Sequence, residues 1–529
     1  MVVDELAGQP VLLALLVVGL GAAAGAVRVR GLSLGPAAAL FVGLAVGALD
    51  DAISGAAGLD VLRQFGLVLF TYTIGLAAGP TFARGLRRSG VAAMATTVVL
   101  VAALGAGCAG LAAVLSLSRA ETAGLFAGST TNTPALQAAS EALEAGDPVI
   151  AYSLAYPSAV VAMLVVITFV LRRRPPLPER LGPRPVPPAA ERIVNWTVAV
   201  STAELPALDE LRWRHPGLGF SRVRHDGVVE VATAERRLAP GDDVVVVGPE
   251  SLVRAFADRV GRRSDVHLAL DRSTLDARRI VVSDRHVAGR RIADLDLPHR
   301  YGAICTRVRR GDDDVVASDA FELALGDRIR VVGPADRLGA VARLVGDSER
   351  RLAEVDAAGL ALGAAAGVAL GSLTVGIGSL ELSLGVGGGP LIAGLVLGVI
   401  VRTGPITWQI PHAANQLLRQ LGILIFLACA GLASGSAFAD AVATRHGLAL
   451  VGAGLLVGGT FAAVVPLVLI VALRRDVIET TGMFAGIETQ PAALAYATQR
   501  SGDLRITEAY ALVFPVAMVA KIIVVQLLV

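Results

Sequence analysis

Long apolar runs and one polar stretch divide the chain into three parts. The apolar runs fall within residues 10–171 and 356–529, whereas residues 172–355 hold most of the charge. Runs long enough for spans lie at roughly 10–27, 33–49, 62–80, 91–117, 148–171, 357–377, 385–401, 418–435, 447–473 and 506–529. Because a helix needs about 20 apolar residues to cross a bilayer, this pattern predicts an all-α polytopic membrane protein with about five spans on each side of the insert.

The composition agrees with a membrane protein and argues against other classes. The chain is 54% hydrophobic and has 59 glycines, and small residues allow close helix contact in a bilayer. A net charge of only +2 gives no reason to expect a nucleic-acid partner. Cys108, Cys305 and Cys429 are too far apart for a disulfide framework or a set of metal ligands. Since no nucleophile–base pair is evident either, we expect no enzyme, no metal and no cofactor.

The arginines predict the orientation in the membrane. Asp4 and Glu5 precede the first apolar run, Val11–Val27, which is therefore interpreted as a retained helix rather than a cleaved signal peptide. With the N-terminus outside, the positive-inside rule is met by Arg28, Arg30, Arg84, Arg87, Arg88, Arg172, Arg173, Arg174, Arg351, Arg402, Arg474 and Arg475. This scheme places the insert in the cytoplasm and both termini outside.

The two apolar halves repeat each other. Residues 62–82 (LRQFGLVLFTYTIGLAAGPTF) match 418–438 (LRQLGILIFLACAGLASGSAF) in register. Residues 123–139 parallel 481–497 with a one-residue slip, and AYSLAYP at 151–157 parallels AYALVFP. Because each half has an odd number of predicted spans and the linker lies on one side, the two halves must run in opposite directions. That is the inverted-topology repeat of many secondary transporters.

Each half contains one polar segment that is too short to span. These segments are residues 120–145 and 478–503, and each centre follows a predicted Phe-Ala-Gly turn. The polar centres comprise Ser129, Thr130, Thr131, Asn132, Thr133 and Pro134 in the first half, and Glu488, Thr489, Gln490 and Pro491 in the second. Apolar flanks of about 8–10 residues fit half-membrane helices at 1.5 Å per residue. We therefore expect two re-entrant hairpins.

The hairpin centres are the candidate substrate-binding residues. Irregular backbone at membrane depth is tolerated only inside the protein or beside a water-filled cavity. A proline after polar residues breaks one helix and starts the next, whose positive end can hold an anion such as a carboxylate. In inverted halves, the two tips can meet near the midplane. The alternative is that both segments are ordinary extramembrane loops, although their paired occurrence favours a site.

Four charged residues are candidate partners of that site. Lys521, the only lysine in the sequence, falls within the last span, where it either neutralises a substrate carboxylate, pairs with Glu488 or snorkels to the surface. Arg63 and Arg419 begin equivalent helices and are interpreted as interfacial anchors or hairpin partners, with direct contact to the substrate as the alternative. Glu488 either carries a coupling proton or caps the second half-helix.

The pattern of the polar insert predicts a linker followed by two similar α+β units. Residues 172–190 are a stiff Pro/Arg-rich linker, followed by units at 191–265 and 266–350. Each unit contains Gly-Asp, a β-branched strand, Gly-Pro and an amphipathic helix. The sequence has no Gly-x-Gly-x-x-Gly motif after a predicted strand, so a dinucleotide site of the Rossmann type is not indicated. The pair either senses a small, unidentified ligand or forms a structural cap.

The whole arrangement resembles the aspartate:alanine exchanger family of bacterial secondary transporters. The features are Gly-Ser-Thr-Thr-Asn-Thr-Pro-Ala-Leu at 128–136, Gly-Ile-Glu-Thr-Gln-Pro-Ala at 486–492, and two units like the C-terminal regulatory domains of potassium-conductance regulators. The resemblance implies exchange of an acidic for a neutral amino acid, or transport of a related dicarboxylate, across the bacterial inner membrane. By analogy with other paired-hairpin transporters, we expect an elevator movement against a dimeric scaffold.

Two other classes remain open. The membrane halves, 1–171 and 351–529, could form an ion channel or ion transporter that the insert gates. A channel usually has a continuous polar filter repeated around a pore, whereas the polar residues here cluster at two hairpins. A receptor that senses a ligand without moving it is the other alternative, although nothing in the sequence resembles an output domain.

Overall fold

The computed structural model describes residues 8–27, 35–87, 90–143, 145–172, 193–310, 313–348, 356–377, 380–442, 444–501 and 505–529. These residues form two compact units. The membrane unit comprises Met1–Pro176, Ala357–Trp408 and Asn415–Val529, and the insert unit comprises Leu177–Asp356 with Gln409–Ala414. The predicted linker 172–190, except Arg172, lies outside the described residues, as do Arg28, Arg30, Arg88 and Arg351.

The membrane unit is built almost entirely from helices. Its first part contains α1 (Pro10–Ala26), α2 (Ala38–Gly47), α3 (Asp51–Ser54), α4 (Leu59–Arg87), α5 (Val91–Leu115), α6 (Arg119–Ser129), α7 (Thr133–Ala142) and α8 (Pro148–Arg172). After the insert come α13 (Ala357–Gly371), α14 (Gly385–Ile400), α15 (His412–Ala433), α16 (Gly435–Val442), α17 (Arg445–Val471), α18 (Val477–Ile487), α19 (Pro491–Ser501) and α20 (Arg505–Leu528).

Six helices among the described residues are long and apolar enough to cross a membrane. They are Leu59–Pro80 within α4, together with α5, α8, α15, α17 and α20. Four further predicted spans coincide with shorter apolar helices, α1, α2, α13 and α14. The predicted span 357–377 is wrong at its end, because the helix stops at Gly371 and Thr374–Ile377 (β10) pairs with Leu380–Ser383 (β11). The β-branched side chains of this stretch favour the strand.

Glycines bring helix backbones of the two parts into contact. A Cβ atom at Gly66 would lie 2.7 Å from the carbonyl oxygen of Gly422, and one at Gly422 would lie 2.6 Å from that of Gly66. Helices α4 and α15 therefore cross through reciprocal glycine contacts. Gly43 in α2 likewise lies against α15, and Gly394 in α14 lies against α4. Such small-residue contacts are the usual means of close helix packing in membranes.

The insert unit contains two antiparallel sheets. The first has the order β3-β2-β4-β1-β5, and the second has the order β6-β9-β7-β8. The strands are β1 (Ile193–Val200), β2 (Gly219–His225), β3 (Val228–Val231), β4 (Asp243–Pro249), β5 (Gly261–Arg263), β6 (Leu275–Val281), β7 (Ile304–Arg310), β8 (Asp313–Val316) and β9 (Arg328–Pro334). The helices are α9 (Leu208–Arg214), α10 (Glu250–Val260), α11 (Leu297–Tyr301) and α12 (Ala335–Val345). Strands β2, β3 and β4 with α10 have counterparts 85 residues later in β7, β8, β9 and α12.

Each sheet packs one face against its amphipathic helix. Val253 and Phe256 of α10 are buried with the strands of the first sheet, and Leu338 and Val341 of α12 are buried with those of the second. The Gly-Asp turns before β4 and β9 place a buried aspartate at equivalent positions. Asp242 accepts hydrogen bonds from the Ala239 amide and the His225 ring, and Asp327 accepts them from the Ala324 amide and the Arg310 guanidinium. These internal bonds give the Gly-Asp motifs a structural role.

Candidate functional site

The two polar segments are helix breaks with the same backbone geometry. In the first break, at 130–132, three successive amides bond to carbonyls four, three and five residues earlier. The second break, at 488–490, repeats that pattern at distances within 0.3 Å. Each break joins two half-helices of 10 or 11 residues, α6 to α7 and α18 to α19. The sequence-predicted interruption therefore occurs at corresponding positions, and residue n of the first break matches residue n + 358 of the second.

Both breaks hold a threonine in an unfavourable backbone conformation. Thr131 has φ of 50° and Thr489 has φ of 59°, in the left-handed region. β-Branched residues rarely adopt this region, and such a conformation costs about 1–3 kcal/mol. Strain of this kind persists only when surrounding contacts fix it, and it is concentrated at functional sites.

The predicted Phe-Ala-Gly turns are wrong in detail. Phe126–Gly128 lies in the last turn of α6, and Phe484–Gly486 lies in the last turn of α18. The glycines serve helix packing: a Cβ atom at Gly128 would lie 2.6 Å from the Tyr152 carbonyl oxygen, and one at Gly486 would lie 2.8 Å from that of Tyr510. The chain turns only after these glycines.

The two breaks bond directly to each other. Thr131 Oγ1 donates to the Glu488 carbonyl oxygen at 2.8 Å. Thr489 Oγ1 lies 3.3 Å from the Thr130 carbonyl oxygen, and Asn132 Nδ2 lies 3.3 Å from Thr489 Oγ1. Thr130, Asn132 and Glu488 are no more than 1% exposed, and the two strained threonines are 5% exposed. The structure therefore brings together residues about 357 positions apart in the chain.

Lys521 reaches this contact from α20. Its side chain is fully buried, and Nζ donates to the Thr130 carbonyl oxygen at 3.0 Å and to Thr489 Oγ1 at 3.2 Å. The only lysine of the sequence thus contacts both breaks. Its ammonium group points at the breaks and not along the helix toward a membrane surface, so it does not snorkel.

Glu488 supplies the opposite charge. Its side chain is 1% exposed, and Oε2 has no hydrogen-bond partner among the described residues. The Lys521 ammonium bonds instead to a carbonyl and a hydroxyl, which are neutral acceptors. Ser129 Oγ is a second buried oxygen without a partner in the described part of the chain. A buried polar atom without a partner is costly, so these atoms call for an explanation.

The remaining break residues begin the second half-helices. Asn132 is the N-cap of α7, and its Oδ1 accepts from the Ala135 amide at 2.7 Å. Thr133 and Pro134 form the first turn of α7, and Pro491 is the first residue of α19. One amide of the positive end of α7 is therefore already occupied. Gln490 Nε2 bonds to the Tyr156 hydroxyl at 2.8 Å.

The two predicted arginine partners lie away from this contact. Arg63 is in the second turn of α4 and pairs with Asp60 at 2.9 Å. Arg419 lies two turns into α15 and is half-buried. Among the described residues, no hydrogen bond joins either arginine to a break. Neither arginine opens its helix, because α4 and α15 begin upstream at Leu59 and His412.

Two contacting residues were not predicted from the sequence. Met518 Sδ lies 3.3 Å from Asn132 Nδ2, and Tyr156 bonds to Gln490. Met518 is one helical turn before Lys521, so it shares a helix face with it. Tyr156 lies in the repeated AYSLAYP segment, where the second half has Phe514. Both residues could have been found from the sequence. Met518 lies one helical turn from Lys521, and Tyr156 has a hydroxyl group that the matching Phe514 lacks.

The chemistry available at this contact is recognition of a small charged molecule. A buried ammonium, a buried carboxylate and several hydroxyl and amide groups converge where two helix pairs are broken. Among the described residues, no group of three or more His, Cys, Asp or Glu side chains could hold a metal ion. A multi-pass helical unit that buries such polar groups at paired helix breaks is typical of membrane transporters.

The comparisons with known proteins identify the family. The aspartate–alanine exchanger family model, described as a predicted permease membrane region, matches residues 13–172 and 359–529. The TrkA-C domain model matches residues 277–346. The chain therefore belongs to the aspartate:alanine exchanger family of membrane transporters, which confirms the resemblance stated above, and its insert includes a TrkA-C domain.

Full-length relatives agree with this membership. An uncharacterized transporter of Cutibacterium acnes is 40% identical over 99% of both chains. Uncharacterized transporters of Geobacter sulfurreducens and Symbiobacterium thermophilum are 37% and 38% identical over 98% of each chain. No solved structure matches the chain. The relatives share its whole length, including the insert.

Proposed function

We propose that this protein is a secondary exchanger of an acidic amino acid such as aspartate against a neutral one such as alanine, or of a related dicarboxylate. The observation that carries the proposal is the buried contact between the two breaks, in which Thr131 bonds to the Glu488 carbonyl, Asn132 bonds to Thr489, and the Lys521 ammonium group bonds to Thr489. An ammonium at this depth is costly unless it serves a pathway or an anionic ligand. A substrate carboxylate would replace its neutral acceptors with a charge-assisted bond.

The membrane unit is proposed to be an inverted repeat with two re-entrant hairpins. Support comes from the matched backbone bonds of the two breaks and from the reciprocal contact of Gly66 with Gly422. In this scheme, α6–α7 enters from outside and α18–α19 from the cytoplasm. The insert is cytoplasmic, both termini are external, and the protein is a homodimer in the bacterial inner membrane.

The proposed movement is an elevator step. The elements around the first break lie against the start of α14: a Cβ atom at Gly387 would be 2.9 Å from Pro134 Cβ, and one at Gly385 would be 2.5 Å from Glu141 Oε2. Gln526 of α20 forms two hydrogen bonds with the backbone of Ser383. Release of these contacts would let α6–α8 and α17–α20 move as one body while α1–α4 and α13–α15 remain as scaffold.

The TrkA-C domain supports a regulatory role for the insert, with an unidentified small ligand. Because four strands of the first sheet repeat in the same order in the second, we propose that both sheets bind or respond to the ligand as a pair. Adding the isolated cytosolic metabolite pool to proteoliposomes should then change the exchange rate, which a structural cap would not do.

Counterflow tests the proposed transport. Proteoliposomes loaded with unlabelled aspartate or alanine should accumulate labelled aspartate. Asn132→Ala should reduce the rate about 100-fold, because it removes a buried polar contact of the site. Asn415→Ala is the matched control: Asn415 is also buried but bonds to the Thr73 carbonyl oxygen, between α15 and α4. Equal rates for both variants would reject the site, and ion currents without acid flux would favour the channel.

A further inference from the structure

We infer that Glu488 is the residue that recognises an ammonium group on the cargo, so that the site selects α-amino acids and discriminates against dicarboxylates. The inference rests on the proposed function. It goes beyond that function because it names the group of the cargo that the Glu488 side chain recognises. It begins from Glu488 Oε2, a buried carboxylate oxygen that has no hydrogen-bond partner in the part of the chain that the structure describes.

Burial makes this oxygen informative. Glu488 is 1% exposed, so water does not solvate its carboxylate, and Oε2 has no partner among the described residues. A buried carboxylate either meets a partner or takes up a proton and becomes neutral. For the ionised carboxylate the partner is a donor or a cation, because a carboxylate only accepts hydrogen bonds. An α-ammonium group, with three N–H donors, meets that requirement.

Lys521 does not supply this partner. Two of its donors are directed at the Thr130 carbonyl oxygen and the Thr489 hydroxyl. The Thr489 hydroxyl lies 2.6 Å from the Glu488 carbonyl oxygen, so it stands between the ammonium of Lys521 and the backbone of Glu488. Among the described residues, no hydrogen bond joins the Lys521 ammonium to the Glu488 carboxylate. A zwitterion could satisfy both, its carboxylate at Lys521 and its ammonium at Glu488.

The chemistry of exchange leads to the same cargo. An acidic and a neutral amino acid share only the α-ammonium and α-carboxylate groups, so a site that takes both must read those groups. A dicarboxylate would instead place two negative charges beside Glu488, with one ammonium to balance three carboxylates. Like charges brought together in a buried site cost several kcal/mol and reject the wrong ligand.

The repeat shows that these charges occur as a pair in one half only. The positions 358 residues before Glu488 and Lys521 are Thr130 and Met163, which are both uncharged. The structure therefore gives one break a carboxylate and an ammonium and leaves its counterpart neutral. Either pair of residues, neutral or charged, would serve as scaffold. Recognition of a dipolar head group requires the charged pair, Glu488 and Lys521.

Competition in counterflow tests the inference. Wild-type protein in aspartate-loaded liposomes takes up labelled L-aspartate, with external unlabelled aspartate, alanine, succinate or N-acetylaspartate as competitors. Succinate lacks the amine, and N-acetylaspartate lacks its charge. Aspartate and alanine should compete, and the other two should compete at least about 30-fold less well, since loss of one partner of a buried charge pair has effects of this size. Comparable competition by succinate would overturn the inference while leaving acid transport intact.

The variant Glu488→Gln should remove the discrimination. Aspartate uptake should fall about 30-fold or more, and the preference for aspartate over succinate should shrink to about threefold. Glu479→Gln is the matched control, because Glu479 lies on the same half-helix, pairs with Arg475 and does not touch the breaks. It should keep the wild-type preference. Size-exclusion profiles check folding, and the wild-type competition series stands if Glu488→Gln fails to fold.

Two results would reject the ammonium role and are distinguishable from failure of the proposed function. If Glu488→Gln keeps the preference for aspartate but loses the pH or sodium dependence of uptake, Glu488 binds a coupling proton or cation. If succinate drives counterflow in the wild type as well as aspartate does, the Glu488 carboxylate does not recognise an ammonium group. By contrast, absence of flux with every acid tested would reject the transport proposal itself.

Discussion

The two helix breaks share a backbone but differ in chemistry. Both end their first half-helix with the same three hydrogen bonds, and both hold a threonine at positive φ. The first break is neutral, with Thr130 at the position that matches Glu488 and Met163 of α8 at the position that matches Lys521, whereas the second carries Glu488 and is joined by Lys521. The comparison teaches that the repeat fixes the backbone geometry of both breaks, whereas the charged side chains occur at only one of them.

The largest expected effect comes from removing the ammonium. Lys521→Met should abolish exchange and lower the free energy of unfolding by about 3–5 kcal/mol, because Glu488 would be left as an uncompensated buried charge. Counterflow and denaturant unfolding in detergent measure the two effects.

The double variant Glu488→Thr with Lys521→Met sharpens the comparison. It gives the second break the residues of the first, so most of the lost stability should return while exchange remains absent. Recovery of exchange in the double variant would mean that the charges are structural. A double variant no more stable than Lys521→Met would mean that the two charges do not interact.

A smaller effect is expected where the repeats touch. Gly66→Ala and Gly422→Ala should each destabilise the protein by about 1–3 kcal/mol, because the new methyl group meets backbone of the other helix. Gly452→Ala in α17 is the control, since nothing lies within 4 Å of its Cβ position, and it should stabilise by about 0.5–1 kcal/mol. Thermal unfolding compares them. Strongly unequal costs at 66 and 422 would argue against a symmetric crossing.

The smallest effect concerns the strained threonines. At Thr131 and Thr489, substitution by Gly should cost less than substitution by Ala, by about 1 kcal/mol at each position, because only Gly adopts positive φ freely. Both substitutions lose the hydroxyl, so their difference reports the backbone alone. A Gly–Ala difference at one break only would show that the two backbones are not equivalent in solution.

Much of this arrangement could be predicted from residue patterns. The positions of the helix breaks follow from polar residues and Pro134 or Pro491 within otherwise apolar segments, and Lys521 was singled out because an isolated charge in a span is costly. The helical breaks, unlike the loops of the alternative interpretation, are buried and bonded to each other. The local sequence pattern was enough for these features, because polar residues with a proline, or a single charge, are unusual within an apolar span.

The rest depended on tertiary packing. The local sequence does not show that Phe126–Gly128 is helical. Gly128 is explained by the close approach of Tyr152 from another helix, which is a tertiary contact. The end of α13 at Gly371 was missed because apolarity alone does not separate a strand such as Thr374–Ile377 from a helix. Arg63 pairs with Asp60, while its charge also acts on Glu141 in the first polar segment, and neither contact follows from the local pattern. The bonding of Thr131 to Glu488 depends on how the two halves dock, which no sequence period encodes.

The most direct test is the structure of the protein with bound L-aspartate, determined by cryo-electron microscopy in a lipid nanodisc. The account predicts density for the amino acid between the two breaks, with its carboxylate at Lys521 Nζ and its ammonium at Glu488 Oε2. Density for aspartate elsewhere, with the contacts among Thr131, Thr489 and Lys521 unchanged, would contradict it.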